Sequence, residues 1–171
     1  VMDRYQKQSL EFSERQTEGK FWLYKLAEEL SDYYHLSLRD KLIYKSRIEA
    51  VPDTKETYVS SESYFVSLFV ASIILLDIID IQEKKKFLEG KSDFVANVLP
   101  ELKTYKRFIN RLIGDGSRTV EEEQFKNNCE EVVKVYKYAF ETESDEYYER
   151  FEISRELKQK CIAASNGHKY Y

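Results

Sequence analysis

The chain has 171 residues, 34% of them charged and 42% hydrophobic, with 5 Gly, 2 Pro and a formal net charge of -4. That length fits a single domain over residues 1–171, able to bury roughly 70% of the surface its unfolded chain exposes. The scarcity of turn residues argues against a β-rich or collagen-like chain, and the net acidity excludes general nucleic-acid binding by bulk charge. The fold expected is all-α: a compact bundle of about five to six helices, each offering an apolar stripe to a shared core.

In chain order, residues 3–35 read as a first helix with a break near Gly19. Leu23, Leu26, Ala27, Leu30 and Tyr34 recur at helical spacing, and Trp22 beside them supplies a large apolar anchor. Ser37 followed by Asp40 resembles a capping box with Asp in place of Glu; it opens a second helix through Ala50, which Pro52 stops. The loop Val51–Val59 then leads into SSESYFVSLFVASIILLDIIDI, Ser60 to Ile81, in which Tyr64 to Leu76 carry no charge. A helix apolar on every face must be surrounded, so this stretch is the predicted central helix, spanning residues 61–82. Ser60 and Ser61 are its candidate N-caps with Glu62 in the first turn, and Glu83 with Lys84, Lys85 and Lys86 is expected to end it in water. A membrane span needs about 20 apolar residues, whereas Asp77 and Asp80 interrupt this run, so no membrane partner is expected.

Ser92 starts a short helical piece that Pro100 restarts, Pro being suited to a first turn and expected to push Leu99 out of the α region. From Glu101 to Ile113, Leu102, Tyr105, Phe108, Ile109 and Leu112 form one apolar stripe. On the opposite side Lys103, Lys106, Arg107 and Arg111 fall at i, i+3, i+4 and i+8 and share a face with only Glu101 nearby as an acid. Gly114-Asp115-Gly116 marks a turn, and Thr119 with Glu122 a capping box for a helix that buries Phe125, Cys129, Val132, Val133, Tyr136 and Phe140. Ser144 caps a last helix carrying Tyr147, Tyr148, Phe151, Leu157 and Cys161, which ends at Asn166-Gly167 in a left-handed cap.

The charge is unevenly spread. From Tyr34 to Arg118 there are 14 Lys or Arg against 12 Asp or Glu, whereas from Thr119 to Glu156 there are 5 against 12. The four cations above are therefore a local basic face able to meet phosphates. Tyr5, Tyr24, Tyr33, Tyr34, Tyr44 and Tyr58 could stack bases or partner side chains, although tyrosines more often line a bundle with their hydroxyls outward.

Little else points to chemistry. His35 and His168 are the only histidines, and Asp32 with His35 lies one turn apart without the paired Glu-x-x-His motifs of a di-iron bundle. Asp77 and Asp80 could hold a cation or mark the exit of the central helix to solvent. Cys129 and Cys161 have neither metal-ligand spacing nor enough partners for a disulfide framework, and VMDRYQKQ lacks the apolar region of a signal peptide, so a reducing cytoplasm is expected. No P-loop, dinucleotide fingerprint, GxSxG or HExxH is present. No catalytic residue, metal or small-molecule cofactor is expected.

Two resemblances add to this. The tail AASNGHKY, Ala163 to Tyr170, resembles the Arg-x4-His-x-Tyr motif of HEPN-family ribonucleases, helical bundles found among prokaryotic toxins and defence proteins. Ala163 stands where the family has arginine, so the likeness nominates only His168 and Tyr170. In size and helical make-up the chain also resembles the small helical subunits of CRISPR effector complexes, and Val1 before Met2 fits the internal GUG start by which some of those are made. That resemblance implies a non-catalytic subunit with protein partners in a larger complex and DNA or RNA contacts, here through Lys103, Lys106, Arg107 and Arg111. A HEPN-like ribonuclease and a protein–protein interaction module without a nucleic-acid role are the alternatives.

Overall fold

A helix without a polar face has to be enclosed, and the arrangement of the chain follows from that. The computed structural model describes residues 20–53, 61–113, 121–141 and 156–167, the side chains of 61–63 and 111–113 excepted. Among the described residues there are α-helices and one 3-10 turn but no strand: α1 (Phe21–Tyr33), α2 (Leu38–Glu49), α3 (Ser61–Ile79), α4 (Ile81–Leu88), α5 (Phe94–Val98), the turn Leu99–Glu101, α6 (Lys103–Ile113), α7 (Glu122–Phe140) and α8 (Leu157–Ser165). From Tyr64 to Leu76 no residue is more than 7% exposed. Helices α1, α8, α4 and α2 pack along α3, and Phe69 meets the rings of Phe87, Tyr136 and Phe140 at 6.3, 5.9 and 5.4 Å, which ties α4 and α7 to it. Two hydroxyls buried here find partners close by, the Ser72 hydroxyl donating to the Leu68 carbonyl at 2.6 Å and the fully buried Tyr44 phenol of α2 to the Ala71 carbonyl at 2.9 Å, whereas the Tyr64 hydroxyl is buried with no partner among the described residues.

The expected stripe of α1 is buried at Trp22, Leu23, Leu26, Ala27 and Leu30. The helix ends at Tyr33 in a Schellman motif, with the Leu36 N–H bonded to the Ser31 carbonyl and the His35 N–H to the Asp32 carbonyl. His35 takes the left-handed position (φ 49°), so it serves as a helix terminator. Ser37 caps α2 through the Asp40 N–H at 3.2 Å, as its sequence predicts. Residues 1–19 and the candidate cap Ser60 lie outside the described residues.

The central helix is shorter than expected. It stops at Ile79, where Asp80 adopts extended backbone (φ -158°, ψ 88°) and its carboxylate accepts from the Glu83 N–H, capping α4 as a separate helix. An aspartate that competes with the backbone in this way breaks a helix that hydropathy alone would continue through Ile81. The lysine cluster therefore belongs to α4, and Lys84 is turned back toward α3. Its ammonium lies 2.7 Å from the Asp77 carboxylate, which also receives Arg47 of α2 at 2.6 Å. Asp77 joins three helices at the point where α3 leaves its buried run for exposed Ile79 and Asp80.

Gly90 follows α4 with φ 76°, and a Cβ there would stand 2.9 Å from the Glu141 nitrogen, so only glycine lets this turn lie on the end of α7. Pro100 sits within the 3-10 turn while Leu99 keeps helical dihedrals (φ -56°, ψ -43°), against expectation; the chain turns extended two residues later, at Leu102. Helix α7 begins with Glu121 as an N-cap that makes no side-chain hydrogen bond, Thr119 lying outside the described residues. Its stripe buries Val135, and Val133 is only half-buried. In α8, Leu157 and Cys161 are fully buried and Gly167 (φ 76°) closes the helix in the left-handed cap that the sequence predicts. Ser144, Tyr147, Tyr148 and Phe151 lie outside the described residues. No helix among the described residues is long and apolar enough to cross a membrane.

Ile74 has no solvent exposure. Ile74→Asp places an unpaired charge in the core, costing more than about 4 kcal/mol, and a urea melt should lose its cooperative transition. The Asp77 clamp gives a pH-dependent prediction. The Lys84 hydrogen bond first, then that of Arg47, lowers the carboxyl's pKa against the opposing effect of burial. A carboxyl with a lowered folded pKa contributes stability above its unfolded value of about 3.9 and loses it as pH falls through the folded one. Asp77→Asn should thus melt about 2–6 °C below the parent at pH 7, the gap narrowing as pH falls below about 4.

Candidate nucleic-acid interface

The basic helix α6 has no local N-cap, because the residue before it is Leu102. Its first N–H groups are satisfied from another helix. The half-buried Glu29 carboxylate of α1 accepts from the Lys103 N–H, from the Thr104 N–H at 3.0 Å and from the Thr104 hydroxyl. A carboxylate at this end also favours the positive pole of the helix dipole, where Lys103 alone would be adverse. Leu102, Tyr105, Phe108 and Ile109 are buried at 4% exposure or less. Phe108 stacks on Tyr64 of α3 at 4.2 Å, and Trp22 of α1 meets both rings at 5.4 Å. Helix α6 is thus held at its end and along one side by α1 and α3.

The other side bears the cations. Lys103, Lys106 and Arg107 are exposed, and no ion pair to any of them occurs among the described residues. Arg111 falls on the same face by helical register, its side chain being outside the described set. Next to this face, α6 and α7 enclose a cleft of about 630 Å³ lined by Pro100, Lys106, Asn110, Phe125, Lys126 and Cys129, with Glu122 at its acidic edge. The Phe125 ring packs against Tyr105 at 5.4 Å, and the Lys106 ammonium stands 5.5 Å from its centroid. Burial pushes the Cys129 thiol up to about 11, which keeps it protonated and unreactive.

The remaining candidates are dispersed. Asp32 pairs with Lys41 at 3.5 Å, away from the terminating role of His35. Among the described residues no group of three His, Cys, Asp or Glu is placed to hold a metal ion. Ala163 is half-buried in α8, and His168 and Tyr170 lie outside the described residues. Tyr24 and Tyr44 are buried, Tyr34 stacks on Phe94 at 5.8 Å, and Tyr33 is 45% exposed; Tyr5 and Tyr58 lie outside the described residues. Sequence reasoning missed Glu29, and it placed Phe125 in a buried stripe, whereas the ring is half-buried beside Lys106. The one signal for Glu29 was the missing cap before Lys103, which any acidic residue in the chain could have supplied. No protein-family model matches the chain, and no curated protein or solved structure is detectably similar to it.

If Glu29 holds the start of α6, Glu29→Ala should cost about 1–3 kcal/mol, lowering the thermal midpoint by about 2–10 °C. Glu29→Gln, which keeps the size and loses the charge, should fall between. A Glu29→Ala variant that melts like the parent would remove this cap from the account.

Proposed function

We propose that the protein is a non-catalytic helical subunit of a larger assembly, a nucleoprotein complex of prokaryotic defence, that touches nucleic acid through the outer face of α6. The observation that carries this reading is the gathering of cations on that one face with no carboxylate partner among the described residues. Lys41, Arg47 and Lys84 each meet a carboxylate, whereas Lys103, Lys106 and Arg107 are gathered on one exposed face with none among the described residues. Neighbouring like charges repel, and a row of phosphates would relieve that repulsion while releasing counterions. The kind of assembly comes from the resemblance in size and helical make-up to CRISPR effector small subunits. Membership of an assembly is further supported by Leu38 and Leu42, which lie one turn apart on α2 at 51% and 43% exposure and offer apolar surface to a protein neighbour.

Four phosphate contacts give a slope of log affinity against log salt near about -3.6 on duplex DNA and about -2.8 on a single strand. So small a face binds weakly alone and gains from the effective concentration supplied by neighbouring subunits. Combined Lys103→Gln, Lys106→Gln and Arg107→Gln substitutions should reduce the duplex slope to about -0.9. Helix content should be unchanged, because the stripe from Leu102 to Ile109 is untouched. Glutamine is preferred to glutamate because the Glu29 carboxylate already occupies the helix start. The check is retention of nucleic acid by the isolated chain at low salt, and an unchanged slope would assign the face to an acidic protein partner.

A further inference from the structure

The cleft between α6 and α7 shares Lys106 with the basic face, so a strand lying along that face passes its mouth. Its volume of about 630 Å³ falls in the range of small-ligand sites, about 300–1,000 Å³. The lining combines two features seldom useful together except for a nucleotide. Phe125 and Pro100 offer flat apolar surface, and among the described residues exposed Lys106 and Lys126 offer two ammonium groups against the carboxylate of Glu122. A purely apolar ligand would leave both ammonium groups without a counter-charge. The Phe125 ring is steadied by Tyr105 at 5.4 Å, and the Lys106 ammonium at 5.5 Å is farther away than a stacked base would be. A phosphate outside the cleft would draw that flexible side chain outward and free the ring.

We infer that α6 and α7 together hold single-stranded nucleic acid, with one unpaired base seated against Phe125 in this cleft and its flanking phosphates at Lys106 and Lys126. The inference rests on the reading of α6 as a phosphate-contacting face. A base still paired and stacked in a duplex cannot reach Phe125, so the cleft selects for strands whose bases are free. Asn110 stands in the same lining.

The test is fluorescence anisotropy of the full chain at low salt with three probes of one sequence: a ten-nucleotide single strand, its blunt duplex, and the same strand with abasic sites at its centre. The parent protein should bind the single strand more tightly than the duplex and the abasic strand about tenfold more weakly than the intact one. Phe125→Leu, which keeps apolar bulk but removes the aromatic face, should show the same loss on the single strand and none on the duplex. The abasic comparison uses the parent protein, so it stands even where the variant fails to fold. Equal binding of intact and abasic strands, with duplex binding still sensitive to the α6 glutamine substitutions, overturns the cleft assignment and leaves the face intact. Absence of salt-dependent binding to all three probes overturns both.

Discussion

The structure depends on enclosing a helix that has nothing to show to water. Every residue from Tyr64 to Leu76 is buried, so α3 can exist only where other helices cover its whole circumference, and α1, α2, α4 and α8 do so together with rings from α6 and α7. The adjustments at its edges follow from the same constraint. The Tyr44 phenol and the Ser72 hydroxyl spend their hydrogen bonds on carbonyls of α3 itself, since no solvent reaches them. Where the apolar run gives way to Asp77, the carboxylate is matched by two cations from neighbouring helices. Three residues on, Asp80 ends the helix and caps the next one.

With few glycines and prolines, the chain finishes several of its helices by borrowing groups from elsewhere. Glu29 of α1 receives the free N–H groups of α6. At the opposite polarity, the Lys20 ammonium lies 3.0 Å from the Glu49 carbonyl at the end of α2, and that of Lys158 lies 3.3 Å from the Phe140 carbonyl at the end of α7. Tyr136 of α7 donates its phenol to the Phe87 carbonyl at the end of α4 and accepts from the Ser92 N–H at 3.3 Å. These long-range caps fix the mutual placement of helices more tightly than apolar packing alone would, because a hydrogen bond has a direction and burial does not. The basic face inherits that precision: α6 cannot roll about its axis without leaving both Glu29 and the Trp22–Tyr64–Phe108 cluster.

This division explains what could be read from the sequence. Apolar periodicity and local caps were legible, since each is written within a few residues: the enclosed helix, the stripe of α1, the Ser37 cap and the Gly167 terminator. The broken central helix was not, because Ile78, Ile79 and Ile81 continue the hydropathy past Asp80 and only that residue's backbone conformation interrupts it. The first helix was bounded at His35, but nothing local marked that histidine for a left-handed position usually held by glycine. On the basic face the spacing of Lys103, Lys106 and Arg107 was enough to place them together and outward. The carboxylate that anchors their helix stands 74 residues earlier, and the aromatic ring beside them comes from the following helix; neither separation leaves a mark in a local pattern.

The position of α8 also bears on how the chain is made. Its residues, Leu157–Ser165, cover the apolar surface of α3, which ends at Ile79. At about 5–20 residues per second, ribosomal synthesis takes roughly 4–17 s to travel from one to the other. During that interval the most hydrophobic segment of the chain has lost the shelter of the exit tunnel and lacks its last covering helix. A nascent chain arranged this way exposes α3 to chance contacts before folding can finish, so holding it at that stage falls to chaperones.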